Sequence, residues 1–348
     1  MGKSNANELL SFYTGPAFEL CHREARAMAV SPPSIGVWQL AGGPVSRPYV
    51  DVFLKYGLGL IGPGDTGPWK TERNDDEFEG GFVRRFASEM EIGNVVLLRT
   101  GIGTIAAVGI VASDYLYLNQ FDDVNGWDLQ HARRIRWCRL PQEYSFSDPV
   151  FGANPTRCSR IWNEEVVDYA LRFMNSPPTH WQNASLPELP PEEPSLDEVP
   201  PALQGLVAQA QDLTPFFWDL DRFGDYPTED EMVAHFVVPF LNALGWPPER
   251  IAIKWRYVDV ALFGTLPRVP QNCKFVIEAK RLGAGVEGAL NQAKGYLESL
   301  CIQRDIVVTD GIRYRMYSCQ NEFAPIAYAN LIRLKKSATD LFSRLKRT

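Results

Sequence analysis

Three residues in the C-terminal third have the types and spacing to do chemistry. Asp259 lies within RYVDVALFG, and nineteen positions later CKFVIEAKRLG places Glu278 and Lys280 one residue apart. Phe275-Val276-Ile277 reads as a buried strand. Strand side chains alternate, so Glu278 and Lys280 share a face. If Asp259 stands on a neighbouring strand, the two carboxylates offer hard oxygen ligands to a divalent cation. Lys280 can then orient or activate water, or stabilise charge developing on a phosphate. Gln292 and Tyr296 are four apart on a predicted helix, hence on one face. Glu229 opens the helix upstream of all of these.

The elements that must position them follow from periodicity. Thr228 is a good N-cap for EDEMVAHFVVPFLNALGW, with acids at the positive helix end. Met232, Phe236, Val237, Phe240, Leu241 and Leu244 recur at helical spacing. RIAIKWR, VDVALFG and KFVIEAK read as strands, EGALNQAKGYLESLCI as a helix, and RDIVVTDG and RYRMYSC as two further strands. Helix, three strands, helix, two strands predicts an α/β sandwich around a mixed sheet.

An Asp, about twenty residues, then Glu-x-Lys after an apolar strand resembles the signature of the PD-(D/E)XK nuclease superfamily. Within that superfamily the chain more particularly resembles the N-terminal nuclease domain of type I restriction motor subunits. The acidic helix into VVPFLNALGW, then VDVAL, IEAKRLG, NQAKGY and VVTDGIRYRMY occur in the order of that domain. The resemblance implies a restriction-endonuclease-like fold and Mg²⁺- or Mn²⁺-dependent hydrolysis of DNA phosphodiesters. It implies Asp259, Glu278 and the Ala279 carbonyl as metal ligands, and Lys280 as the catalytic lysine. Gln292 and Tyr296 would position substrate or lysine, and Glu229 would assist the metal. A nucleotide-motor loop, G-x-x-x-x-G-K-[ST], is absent from the sequence. The expectation is a stand-alone nuclease, not a motor subunit. If each copy cuts one strand, duplex cleavage calls for a homodimer.

The N-terminal half is rich in short β signals: SIGVWQLAGG, VDVFLKYGLGLIG, GNVVLLRTG, TIAAVGIVASDYLYL and RRIRWCRL. Helices are expected at 81–89 and 162–174. This pattern predicts a small β-barrel with peripheral helices. EIGNVVLLRTGIGTIAAVGIVASDYLY loosely resembles EVE and other PUA-like domains, with Asn94 where Asp is common. Such domains imply an aromatic-walled pocket for a flipped, modified base. Candidate walls are Trp38, Trp69, Tyr115, Tyr117 and Trp127, with Asp65 and Asp128 as readers of base edges. The expected biology is modification-dependent restriction in antiviral defence. Two alternatives stand beside it: a nucleic-acid-binding protein that does not cut, and a defence nuclease whose N-terminal domain senses a nucleotide or protein signal.

The bulk sequence bounds these readings. The 348 residues suggest two domains. SPPTHWQNASLPELPPEEPSLDEVPPA, 176–202, holds eight prolines and a block of acids, and reads as an extended linker. The expected division is a sensing domain at 1–175, a linker and docking segment at 176–225, and a nuclease domain at 226–348. Net charge is −7, which taken alone argues against a nucleic-acid binder, but the charge is unevenly spread: 228–348 carries 17 basic against 12 acidic residues. No apolar run reaches the roughly 18 residues of a membrane span. Six cysteines without a C-x-x-C pair and four scattered histidines argue against zinc and for a reducing, cytoplasmic setting. The adjacent Cys21 and His22 have no matching second pair. GPGDTG, 62–67, fits a dinucleotide fingerprint, but Pro68 and Trp69 follow where a helix should, so it reads as a turn. HARRIRWCR reads as a solvated or phosphate-contacting strand, and RLKKSATDLFSRLKR as a basic amphipathic helix.

Overall fold

The computed structural model describes residues 35–45, 47–64, 67–69, 81–152, 157–178, 181, 185–282, 284, 286 and 288–347. The chain is mixed α/β and divides into two compact units. The strands of the first are β1 (Val37–Ala41), β2 (Leu58–Ile61), β3 (Val95–Arg99), β4 (Thr104–Val111), β5 (Leu116–Tyr117), β6 (His131–Ser145) and β7 (Cys158–Arg160). Those of the second are β8 (Ile251–Trp255), β9 (Val258–Phe263), β10 (Cys273–Ala279), β11 (Asp305–Thr309), β12 (Arg313–Ser318) and β13 (Ala324–Asn330).

The first unit is a curled half-barrel sheet in the order β2-β6-β4-β3-β1-β7, with β5 also on β6. Only β1 and β3 run parallel. The 15-residue β6 spans the curl, pairing first with β2 and β5 and then with β4. Gly109 pairs with Trp137, and a Cβ there would meet the indole at 2.6 Å. Helix Glu164–Asn175, capped by the Asn163 side chain, packs Val166 and Ala170 on Val37, Leu97 and Val108. The expected strand VDVFLKYGLGLIG splits. Val50–Tyr56 is a helix, ended by Gly57 at φ 61°, and only Leu58–Ile61 is strand. Asp51 in its first turn and Lys55 in its last favour the helix dipole. HARRIRWCR is a strand, as read, but Arg133 faces neither solvent nor phosphate. It is buried, donating to the Phe86, Ala87 and Ser113 carbonyls.

The second unit holds a six-stranded sheet in the order β13-β12-β11-β10-β9-β8. β10 and β11 are parallel; the other neighbours are antiparallel. β13 extends the expected element order, and helix Ala338–Leu345 falls within the segment read as an amphipathic helix. One face packs on the helical segment from Glu229 to Ala243, on helix Pro201–Phe217 and on Ala338–Leu345; the other packs on helix Ala289–Leu300. Along β10, Phe275, Ile277 and Ala279 join the first core, and Val276 joins the second. A capping box between Thr228 and Glu231 opens the first helix. Pro239 supplies no backbone donor, and the turn before it widens to a π segment, with Val238 N–H bonded to Val233 O. The LGW that follows is a helix stop: Gly245 takes φ 88°, Trp246 N–H reaches Leu241 O, and the indole is buried with its N–H on Leu345 O.

The boundaries differ from those read in the sequence. Gly62–Pro68 and Leu118–Gln130 belong to the second unit, and the cut near 175 moves to Pro190/Pro191. The physical reason is charge. Buried Asp128 pairs with Arg313, Asp122 with Lys335, and Asp123 with Arg315. Arg313 also pairs with Asp310 at 2.9 Å. Burial raises the Asp122 pKa, against the pull of Lys335. The proline-rich stretch is extended but not free. Trp181 is buried beside Phe173 in the first unit, while Ser195 bridges to Lys335 and the Glu193 carboxylate accepts from Ser337 in the second. Among the described residues no helix is long and apolar enough to cross a membrane. Asp128→Ala leaves buried Arg313 short of a carboxylate and should cost about 3–5 kcal/mol. A fall in the denaturant midpoint of the second unit's transition checks it.

Candidate functional site

The second unit brings Asp259, Glu278, Lys280 and Glu229 together. β9 and β10 pair through Ile277 and Val260, which sets Asp259 beside Glu278. Asp259 Oδ2 accepts the Ala279 N–H at 2.8 Å, locking the carboxylate to the neighbouring strand. Lys280 Nζ lies 2.5 Å from Glu278 Oε1 and 3.6 Å from Glu229 Oε2. The shared strand face thus operates as the alternation requires. The strand ends here, and Lys280 N–H closes onto Thr309 O at 2.7 Å.

A fifth group, not singled out from the sequence, completes the cluster. Lys254 on β8 places Nζ 2.8 Å from Asp259 Oδ1, 3.3 Å from Glu229 Oε1 and 3.2 Å from Asp230 Oδ1. Glu229 therefore sits between two ammonium groups. Lys254 takes φ 51°, an uncommon conformation for a non-glycine residue in a strand. The signal in the sequence was a lysine five residues before Asp259 at the end of a predicted strand. It lacked force because charged residues at strand ends are common.

Electrostatics separate the roles. Glu278 is fully buried, and desolvation pushes its pKa up to about 8, aided by Asp259 and opposed by Lys280. Burial works against the Lys280 ammonium, but Glu278, Glu229 and Asp259 outweigh it and raise its pKa. Lys254 behaves likewise: burial opposes its charge, and Asp259, Asp230 and Glu229 prevail. Both lysines are cations at neutral pH. Glu278 Oε2 is buried with no hydrogen-bond partner. An orphaned carboxylate oxygen beside a second carboxylate suits Mg²⁺, a hard cation that takes one or two carboxylates and keeps several waters. Asp259, Glu278 and the Ala279 carbonyl would hold it. Among the described residues no group of three or more Asp, Glu, His or Cys side chains is arranged to hold a metal, and Lys254 donates to Asp259 Oδ1.

Gln292 and Tyr296 share a face of helix Ala289–Leu300 and hydrogen-bond to each other at 2.6 Å. Among the described residues, no hydrogen bond joins either to the carboxylates or to Lys280.

The residues expected to line a base pocket are divided between the two units. Trp38 is fully buried in β1, its indole N–H on Asn94 Oδ1 at 2.8 Å, so it is core. That bond is also what Asn94 does in the GNVV strand. Asp128 is buried in the second unit, accepting from Gly64 N–H and paired with Arg313, which leaves a structural role and not an edge-reading one. Trp127 is half-buried in the same unit, and Asp65, Cys21 and His22 lie outside the described residues. Trp69 and Tyr115 do meet, in the first unit. Trp69 N–H donates to the Tyr115 hydroxyl at 2.9 Å, and that hydroxyl lies 2.7 Å from His131 Nδ1. Tyr117 adds an edge-on contact to the same imidazole at 5.5 Å. The Trp69 indole nitrogen is buried without a hydrogen-bond partner.

A profile for a domain of unknown function, DUF8426, matches residues 65–156. Its span takes in the Trp69–Tyr115–His131 cluster and ends before Asp259. No curated protein and no solved structure matches the chain.

Two outcomes follow from the charges. A Glu carboxyl ordinarily titrates near 4.5, and this one near 8, so the folded metal-free protein holds the extra proton. Its cost is absent below about pH 4.5 and grows by up to about 1.4 kcal/mol per pH unit until about pH 8. Wild type in chelator should therefore lose stability across that window, and Glu278→Gln should flatten the loss, read from denaturant midpoints. Lys254→Met uncovers Asp259 and leaves its acidic neighbours uncompensated. It should lower stability in chelator and enlarge the gain in melting temperature on adding Mg²⁺.

Proposed function

We propose that the chain is a metal-dependent endonuclease acting on DNA. The observation that carries the reading is the meeting of Asp259, Glu278 and Lys280 at the ends of adjacent strands β9 and β10, with the buried Glu278 Oε2 left without a partner. The arrangement agrees with the PD-(D/E)XK pattern of the sequence. A bound Mg²⁺ or Mn²⁺ would supply Lewis-acid polarisation of the phosphate and a more acidic water. The chain's own residues do the rest. Asp259 is oriented by the Ala279 N–H, so its carboxylate is set before substrate arrives. Glu278 gives up its proton when a cation binds, so metal affinity rises with pH toward about 8. Lys280 stays protonated, so it stabilises negative charge on the phosphate and does not take a proton from water. Glu229 holds both lysines toward the carboxylates.

The finer reading is a modification-dependent restriction enzyme of antiviral defence, a homodimer when it cuts both strands. The first unit would recognise the modified base, with Trp69, Tyr115 and Tyr117 as the aromatic surface. A nucleic-acid binder that does not cut is favoured by one feature, the Lys254 contact on Asp259.

Lys280→Ala should lower Mg²⁺-dependent cleavage by about 10²–10³-fold, with DNA binding retained. Cleavage that survives this change, or that never depends on a divalent cation, overturns the catalytic assignment. The base reading is tested in the full chain, because removing 1–175 would strip the second unit of Asp122, Asp123 and Asp128. Trp69→Ala should abolish the preference among phage DNAs that differ in base modification while leaving the metal dependence intact. Equal cutting of all of them by wild type sinks it.

A further inference from the structure

The tip of the β8–β9 hairpin stands beside the carboxylate pair, and its chemistry is unusual for a turn. Trp255 pairs with Val258, leaving a two-residue loop of Arg256 and Tyr257. Both take positive φ, 49° and 73°. Such turns favour Asn-Gly, because side chains beyond Cβ crowd the backbone there. Arg256 and Tyr257 are poor residues for the conformation they hold, and strain of this kind persists where the side chains are needed. Tyr257 is 87% exposed and Ile253 54%. The Arg256 guanidinium lies over the Trp255 ring at 5.1 Å, which holds the cation at the tip. Lys254 is on the same hairpin and Asp259 is two residues beyond Tyr257. At the ordinary strand rise this spacing is about 7 Å. β8 is the last strand on this side of the sheet.

We propose that this tip is a substrate-contacting wedge: Tyr257 stacks on a base or sugar flanking the scissile phosphate, and Arg256 binds the adjoining phosphate. The inference rests on the nuclease reading for its substrate class. An exposed aromatic beside an arginine is a pattern that holds nucleic acid, the ring giving stacking and the guanidinium charge. A tip of residues ideal only for turning would carry neither. The aromatic and the arginine are retained at the expense of turn geometry, next to the place where a phosphodiester would be cut.

The test separates strain from contact. Arg256→Asn with Tyr257→Gly installs the residues the turn prefers, so the double variant should fold and melt higher than wild type. Binding is read by fluorescence anisotropy of a labelled DNA duplex and its single strand, in chelator at low salt. The double variant and Tyr257→Ala should each bind about 5- to 150-fold more weakly, and Tyr257→Trp should restore binding. Unchanged binding by the double variant overturns the proposal, as does wild-type binding to neither probe. A shift from dimer to monomer with DNA affinity unchanged would also overturn it, assigning the tip to a second copy of the chain. The nuclease reading fails separately. If the tip variants lose binding but wild type never cuts with Mg²⁺, the wedge stands and the hydrolysis does not. If wild type cuts and the double variant binds and cuts equally well, the reverse holds.

Discussion

Carboxylates cannot be crowded at buried strand ends without cations to answer them. That constraint shapes the second unit's candidate site. Asp259 and Glu278 lie almost fully out of water on adjacent strands, with Glu229 and Asp230 brought close by a helix start. Lys254 and Lys280 alternate with them, so each ammonium touches at least two carboxylates. The compensation is incomplete at Glu278, where one oxygen has no partner and burial favours the protonated acid. Four carboxylates against two ammonium groups leave the site short of positive charge, with oxygen donors of the kind a divalent cation takes.

A second set of charges governs how the chain is divided. Arg313 and Arg315 are buried on β12, where an unpaired guanidinium would be prohibitive. Besides Asp310 on Arg313, their carboxylates come from Asp128 and Asp123, residues that the chain order places among the strands of the first unit. The segment 118–130 therefore leaves the sheet after β5 and returns to it at β6 while packing in the second unit. Continuity along the chain and membership of a folded unit part company here because ionic pairing outweighs proximity in sequence.

Much of the second unit was readable because its signals are local and redundant. Apolar runs with a charge near one end marked β9 and β10, Thr228 before a run of acids marked a helix start, and LGW followed its end. The first unit was less readable. VDVFLKY looks apolar and strand-like, yet its end charges and Gly57 make it a helix. The aromatic residues were equally hard to sort, since a Trp in a strand looks the same whether it is core, like Trp38, or part of a half-exposed cluster, like Trp69.

The sequence by itself determined that Glu278 and Lys280 share a face, because strand alternation is a property of the covalent chain. It also determined the Thr228 cap and the extended form of the acidic, proline-rich stretch. Only tertiary structure decided that Asp259 meets Glu278, that Lys254 takes Asp259's outer oxygen, and that Asp128 belongs with Arg313. Those contacts span different elements, and in the latter case most of the chain. Their partners are selected by sheet register and by the cost of leaving a charge buried alone, quantities that no local pattern of residues carries.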